Sequence, residues 1–272
     1  MSSGCPPSAC SGCAVPGRSP ASLQRLGLGL ENWDHVVALA GNPNTGKSTV
    51  FNNLTGLRQH TGNWPGKTIA RAEGGFSYRD RRYKLVDLPG TYSLLSSSLD
   101  EEVARDFILF GKPDVTVVVV DATALERNLN LALQVLQITD RTIVCLNLMD
   151  EARAHGLRID IRGLARDLGV PVIPTAARQR EGMEELLGEI ERVATGQLAA
   201  RPRRLTYDVP GLRDAIRRLA AEVEAAVPGV ANAPWIALRL LHGDESVRRA
   251  LARGELGLVS EDAAVGGVGA AA

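Results

Sequence analysis

The chain has 272 residues, of which 44% are hydrophobic and 23% charged, so it can bury a full α/β core and leave room for a small appendage. Its 31 basic residues are balanced by 31 acidic ones. That gives no counterion-displacing excess for a nucleic-acid backbone and argues against such a partner. No apolar run approaches the ~20 residues needed to cross a bilayer. The first twenty residues, rich in Ser, Gly, Pro and Cys, lack the apolar core of a secretory signal. The expected setting is therefore the cytoplasm.

In chain order, residues 1–34 read as a flexible, Cys-containing leader. Val36 to Ala40 is a short apolar strand running into Gly41, and Ser48 to Leu54 a helix. Ile69 to Asp80 reads as an antiparallel edge strand. Further strands are expected at Tyr83 to Val86, Val115 to Val120, Thr142 to Leu146 and Val170 to Ile173. Amphipathic helices are expected at Glu101 to Phe110, Glu126 to Gln137, Ile161 to Leu168 and Glu184 to Val193. Buried strands alternating with helices call for a mostly parallel sheet covered on both faces. After a linker at Arg201 to Arg204 the pattern turns helical, at Leu212 to Val227, Pro234 to Leu241 and Glu245 to Leu251. This divides the chain into the leader, an α/β domain over 35–200, a small all-α domain over 205–260 and a disordered Gly/Ala tail over 261–272.

The chemistry sits at strand ends. Gly41-Asn42-Pro43-Asn44-Thr45-Gly46-Lys47-Ser48 fits G-x-x-x-x-G-K-[ST] between a strand and a helix and is followed by Thr49. Such a loop wraps phosphate with backbone N–H groups, while Lys47 reaches the β- and γ-phosphates and Ser48 ligates Mg²⁺. Asp87-Leu88-Pro89-Gly90 ends another strand, where Asp87 would hold Mg²⁺ through water and the Gly90 backbone would approach a γ-phosphate. Asn147-Leu148-Met149-Asp150 closes the Thr142 strand. The Asp150 carboxylate there can accept from guanine N1–H and the 2-amino group, and Asn147 can tie the loop back to the phosphate loop. Thr175, Ala176 and Ala177, after the last strand, would offer a backbone N–H to guanine O6. Four motifs in this order describe a P-loop GTPase binding GTP/GDP.

The residues between those motifs narrow the match. Gly62-Asn63-Trp64-Pro65-Gly66-Lys67-Thr68, Asp87 to Ser93 and Asp121 to Leu129 closely resemble the FeoB family of bacterial ferrous iron transport proteins, whose cytosolic part is a G domain. The resemblance covers about Val36 to Ile190 and extends to Pro234 to Asp244, which looks like that family's small helical domain. It implies that Thr68 binds Mg²⁺ in the GTP state. It also implies a K⁺ ion held by Asn44 and by the carbonyls of Gly62 and Trp64, with Asn44, Lys47, Thr68 and Gly90 serving catalysis. It further implies a membrane transport domain of the same family as partner, absent from this chain, and a site of action at the inner face of the membrane. A homo-oligomer is left open.

Two positions depart from common G-domain usage. Thr91 follows D-x-x-G where a water-orienting Gln stands in Ras-like enzymes, so hydrolysis should be slow and K⁺-stimulated. Leu148 stands where a Lys usually packs over the base, which predicts modest affinity and fast exchange. Two other readings stay open: a GTP/GDP sensor that does not hydrolyse, and a soluble GTPase of the Era or EngA kind. Cys5, Cys10 and Cys13 have a spacing compatible with iron or zinc, set against an unstructured tail with reactive thiols. Cys145 reads as a buried core thiol. His35, His60, His155 and His242 are scattered, without ligand spacing.

Overall fold

The structure is a computed structural model that describes residues 23–252 apart from 25, 57–58, 66, 96–97, 205–208 and 231. The three clustered cysteines and the tail from 261 onward lie outside the described residues. Its centre is a seven-stranded sheet in the order β2-β3-β4-β1-β5-β6-β7. The strands are β1 (His35–Gly41), β2 (Gln59–Asn63), β3 (Ala70–Tyr78), β4 (Arg81–Asp87), β5 (Val115–Asp121), β6 (Thr142–Asn147) and β7 (Val172–Pro174). β1 pairs in parallel with β4 and β5, and β5, β6 and β7 continue in parallel. β3 is antiparallel to both β2 and β4.

Both faces of the sheet are covered, as its continuous Val/Leu runs require. Along β1 the side chains alternate between two cores: Val36, Ala38 and Ala40 enter one, Val37 and Leu39 the other. Helices α1 (Lys47–Thr55) and α6 (Met183–Ala194) cover the second core through Val50, Phe51, Leu186 and Ile190. On the first face lie α2 (Leu99–Asp106), the π-helical turn Phe107–Gly111 that extends it, and α3 (Leu125–Ile138). The short helices α4 (Met149–Ala154) and α5 (Ile161–Leu168) flank β6 and β7.

Helices α7 (Leu212–Ala226), α8 (Ala233–Leu241) and α9 (Glu245–Ala252) form the helical unit. It shares the first core: Val223, Trp235, Ile236 and Ala237 belong to the same buried cluster as Leu131 and Val135 of α3. Asn232 fixes the junction. Its carbonyl oxygen Oδ1 caps α8 by accepting from the Trp235 N–H at 3.2 Å, while its Nδ2 donates to the carbonyls of Gln137 (2.7 Å) and Ile138 (3.1 Å) at the end of α3.

Two expectations need correction. The antiparallel strand predicted near Ile69 is β3, but it is internal; the edge is β2, whose Gly- and Asn-containing sequence carries no strand pattern and is held by pairing with β3. The leader was expected to be flexible through residue 34, yet Leu23 and Leu28 are 0% and 2% exposed and lie in the first core. Burial of these leucines outweighs the segment's Gly-rich composition.

Because one buried cluster spans the sheet and the helical unit, the two should unfold together. Ile236→Ala, at a fully buried position, should lower the stability of one cooperative transition by about 2–5 kcal/mol. Urea unfolding followed by circular dichroism checks this, and a separate early transition of the helical unit would contradict it.

Candidate nucleotide site

The carboxyl ends of β1, β4, β6 and β7 converge on one edge of the sheet, the place where α/β folds bind ligands. β1 leads through the loop 42–46 into α1. Asn44 and Gly46 both take left-handed backbone conformations, at φ 67° and 78°. The loop braces itself: Thr45 Oγ1 donates to the Asn42 carbonyl at 2.9 Å. Asn42 is buried, and neither of its side-chain polar atoms has a partner among the described residues. Asn44, Ser48 and Thr49 are exposed on the loop and the first turn of α1, with side chains open to a ligand. The N-terminus of α1 carries no acidic residue and no side-chain cap, which leaves its N–H groups for an anion.

Lys47 Nζ donates to Asp87 Oδ1 and, at 2.8 Å, to the Leu88 carbonyl. The phosphate-loop lysine and the D-L-P-G carboxylate thus meet directly. Burial pushes the Asp87 carboxyl above the usual range, and the charge and hydrogen bond of Lys47 pull the other way without fully offsetting it. Gly90 lies beside Pro43, and the Thr91 N–H donates to the Gly41 carbonyl at 3.3 Å. Thr91 itself is buried, its hydroxyl donated to the Ser93 carbonyl at 2.7 Å.

Asn147 joins three loops. Its Nδ2 donates to the Thr45 carbonyl at 2.9 Å; its Oδ1 accepts from the Ala177 N–H at 3.0 Å and from Thr175 Oγ1 at 3.2 Å. Leu148 follows with φ 61° and reaches over Gly46. Asp150, in the first turn of α4, accepts from Gln179 Nε2 at 3.2 Å. The amides expected to read guanine O6 are engaged: Thr175 N–H donates to Leu146 and Ala176 N–H to Glu181, while Ala177 serves Asn147. Reading O6 at Ala176 therefore requires it to leave the Glu181 carbonyl. Cys145, just beneath, is fully buried, and burial pushes its thiol up to about 12, which makes it inert.

The structure brings together Gly41, Asn42, Pro43, Asn44, Thr45, Gly46, Lys47, Ser48, Asp87, Gly90, Asn147, Asp150, Thr175, Ala176 and Ala177 around these strand ends. Gly62, Trp64 and Thr68 stand apart. Gly62 pairs with Arg71 in the β2–β3 ladder, and the Trp64 carbonyl accepts from the Lys67 N–H at 3.0 Å. Thr68 is exposed in the following turn. The donor set fits a divalent cation at Ser48 and Asp87, two hard oxygen ligands flanking the phosphate loop. Of the three residues expected to hold K⁺, only Asn44 sits at the loop in this conformation.

A set of contacts with no local sequence signature runs behind the site. Arg105 of α2 is buried, ion-paired to Asp106 at 2.7 Å, and donates to Ser246 Oγ at 2.6 Å. Arg239 of α8 bonds Asp244 and donates to the Leu95 carbonyl at 3.0 Å, shortly after D-L-P-G. Burial raises the Asp244 carboxyl, but bonds from Ser246, Arg239 and the Val247 N–H hold it below the usual range. These side chains bind the helical unit to the segment that follows Asp87.

This fold and site define a P-loop G domain. The chain matches the family described as Ferrous iron transport protein B over residues 35–190, and it belongs to the FeoB family. It is 43% identical to the Fe(2+) transporter FeoB of Shigella flexneri over 213 residues, covering 77% of this chain and 27% of that protein. The Salmonella typhimurium (strain LT2) transporter is 42% identical with the same coverage. The chain thus spans about a quarter of these relatives' length. Among solved structures, the cytosolic domain of T. maritima FeoB in a GDP form aligns with TM-score 0.72 at 36% identity, covering 83% of this chain and 88% of that one. A mutant of S. thermophilus NFeoB bound to GDP aligns with TM-score 0.72 at 34% identity, covering 80% and 82%.

Of the two phosphate-loop glycines, Gly46 has less room than Gly41. A Cβ there would sit 2.4 Å from Asn147 Nδ2, at a backbone φ of 78°. Gly46→Ala should weaken GDP binding by about tenfold or more while the chain stays folded, as checked by titration with a fluorescent GDP.

Proposed function

We propose that this chain binds guanine nucleotide and hydrolyses GTP as the regulatory G domain of a ferrous iron transporter. The observation that carries the reading is the convergence of the phosphate loop, Asp87 and the Asn147–Asp150 loop on one sheet edge, tied together by Asn147. The GDP-bound relatives of the same fold support the choice of ligand.

In this reading the loop amides and Lys47 hold the β- and γ-phosphates, with Lys47 turning from Asp87 and the Leu88 carbonyl to the phosphate oxygens. Ser48 and Asp87 hold Mg²⁺, and Asn44 holds K⁺ with the Gly62 and Trp64 carbonyls. The two cations supply positive charge to the oxygens on which charge builds in the transition state. Asp150 selects guanine by accepting from the two N–H groups that adenine lacks. Thr68, once brought in, completes the Mg²⁺ site, and Gly90 presents its backbone to the γ-phosphate.

The Thr91 hydroxyl is spent on the Ser93 carbonyl, so the side chain does not orient water and intrinsic turnover is slow. The same observation favours a second reading, a GTP/GDP sensor that acts by occupancy alone. The Fe²⁺ path and the membrane domain belong to the rest of such a transporter. Among the described residues no helix is long and apolar enough to cross a membrane. Movement after Asp87 would reach the helical unit through Leu95 and Arg239.

GTP turnover by the purified chain with saturating Mg²⁺ should be clearly faster in KCl than in NaCl at equal ionic strength. Asn44→Ala should cut the KCl rate by about tenfold or more and leave GDP binding intact. Equal rates in both salts would remove the K⁺ role, and no turnover in either, with nucleotide bound, would leave the sensor reading.

A further inference from the structure

The segment ahead of β1 lies outside the family match, which begins at residue 35. Its described part is nonetheless fastened to the β2–β3 region. Arg71 of β3 donates to the carbonyls of Leu26 at 2.7 Å and Gly27 at 3.0 Å. Lys84 of β4 donates to the Gly29 carbonyl at 2.9 Å. Both cations pair with Glu73, at 2.7 and 2.6 Å, so the carboxylate holds the two clasps side by side. Further along, the Trp33 ring covers Gly75, where a Cβ would come within 2.0 Å of it.

The same guanidinium faces the residues that the proposed mechanism must move. It lies over the Trp64 indole, 5.3 Å from the ring centre, and Trp64 in turn meets Phe107 edge-on at 5.4 Å. Trp64 is 3% exposed and shares a buried cluster with Leu23, Leu28 and Phe107. Pro65 abuts Gly27: a Cβ on that glycine would be 2.8 Å from Pro65 Cγ. Lys67 is paired with Glu102 of α2 at 3.0 Å.

Topology sets what this costs the site. Ala72 pairs with Asp87, so the chain just before β3 leaves the sheet at the phosphate-binding end. But β2 is the edge strand, three strand spacings from β1, or about 14 Å. Gly62, Trp64 and Thr68 are at the correct end of the sheet and held away from the loop.

We propose that residues 26–34 form a clamp on the segment from Gly62 to Thr68, the first switch of the proposed GTPase, with Arg71 as the positioning residue that parks Trp64 and, through it, Gly62 and Thr68. The inference rests on the GTPase reading above, in which those residues must approach the γ-phosphate. Contacts that exist only in the parked arrangement bias the equilibrium against the engaged one. Loosening the clamp therefore favours GTP, which offers a γ-phosphate to the switch, and leaves GDP indifferent.

The test uses the full chain with Arg71→Gln, which removes the charge and the fork, and Leu28→Ala, which loosens the clamp from its own side of the cluster it shares with Trp64. Arg71→Lys serves as the conservative control. Dissociation constants for fluorescent GDP and a non-hydrolysable fluorescent GTP analogue are measured in KCl, together with GTP turnover. Both loosened variants should bind the analogue about fivefold or more tightly and turn over faster, with GDP affinity unchanged and Arg71→Lys closer to wild type. An unchanged ratio of analogue to GDP affinity overturns the clamp, as does equal weakening of both, which marks a merely structural role. A wild-type chain that binds neither nucleotide instead overturns the GTPase reading beneath it.

Discussion

The site is organised around one amide side chain. Asn147 ends β6 and spends both its side-chain polar atoms on neighbouring loops, donating to the phosphate loop at Thr45 and accepting from Ala177 and Thr175 after β7. Three loops that would otherwise move independently are set at fixed spacing, and Gly46 must be glycine because the Asn147 amide occupies the space a side chain would need. With the loops fixed, Lys47 and Asp87 fall within hydrogen-bonding reach, and Asp150, held by Gln179, follows β6 at the same edge of the sheet. Preorganisation of this kind lets a site spend binding energy on the ligand and not on ordering itself.

Around this centre lie the two segments that the proposed function would move, both linked to α2. On one side Lys67, after β2, pairs with Glu102; on the other Arg105, three residues further along the same helix, is buried against Asp106 and Ser246 of the helical unit. The Leu95 carbonyl adds a second tie through Arg239. In the proposed GTPase, a shift of either segment would reach the helical unit through these contacts.

Much of this was legible in the sequence because it depends on local rules. The continuous apolar runs of β5 and β6 are legible because such strands are buried on both faces, and Gly41 to Ser48 is recognisable because wrapping phosphate needs two glycines and a lysine at that spacing. The helical unit followed from its apolar period. What stayed hidden depends on partners distant in sequence. β2 has no strand pattern and exists by pairing with β3. Arg105 is one arginine among many until Ser246, 141 residues away, is brought beside it. The leader looks structureless by composition, and only the meeting of Leu23 and Leu28 with Phe107 and Trp64 gives it a place. The engaged amides of Thr175, Ala176 and Ala177 are likewise set by Leu146, Glu181 and Asn147 and not by their own identities.

In the proposed function, Asp150 and the loops joined by Asn147 form a guanine-selective nucleotide site. Equilibrium titration of the purified chain with GDP and with ADP, in Mg²⁺, measures that selectivity directly. GDP should bind, and ADP should be weaker by about a thousandfold or more, because adenine offers the Asp150 carboxylate no matching pair of N–H groups. Comparable affinity for the two would contradict it.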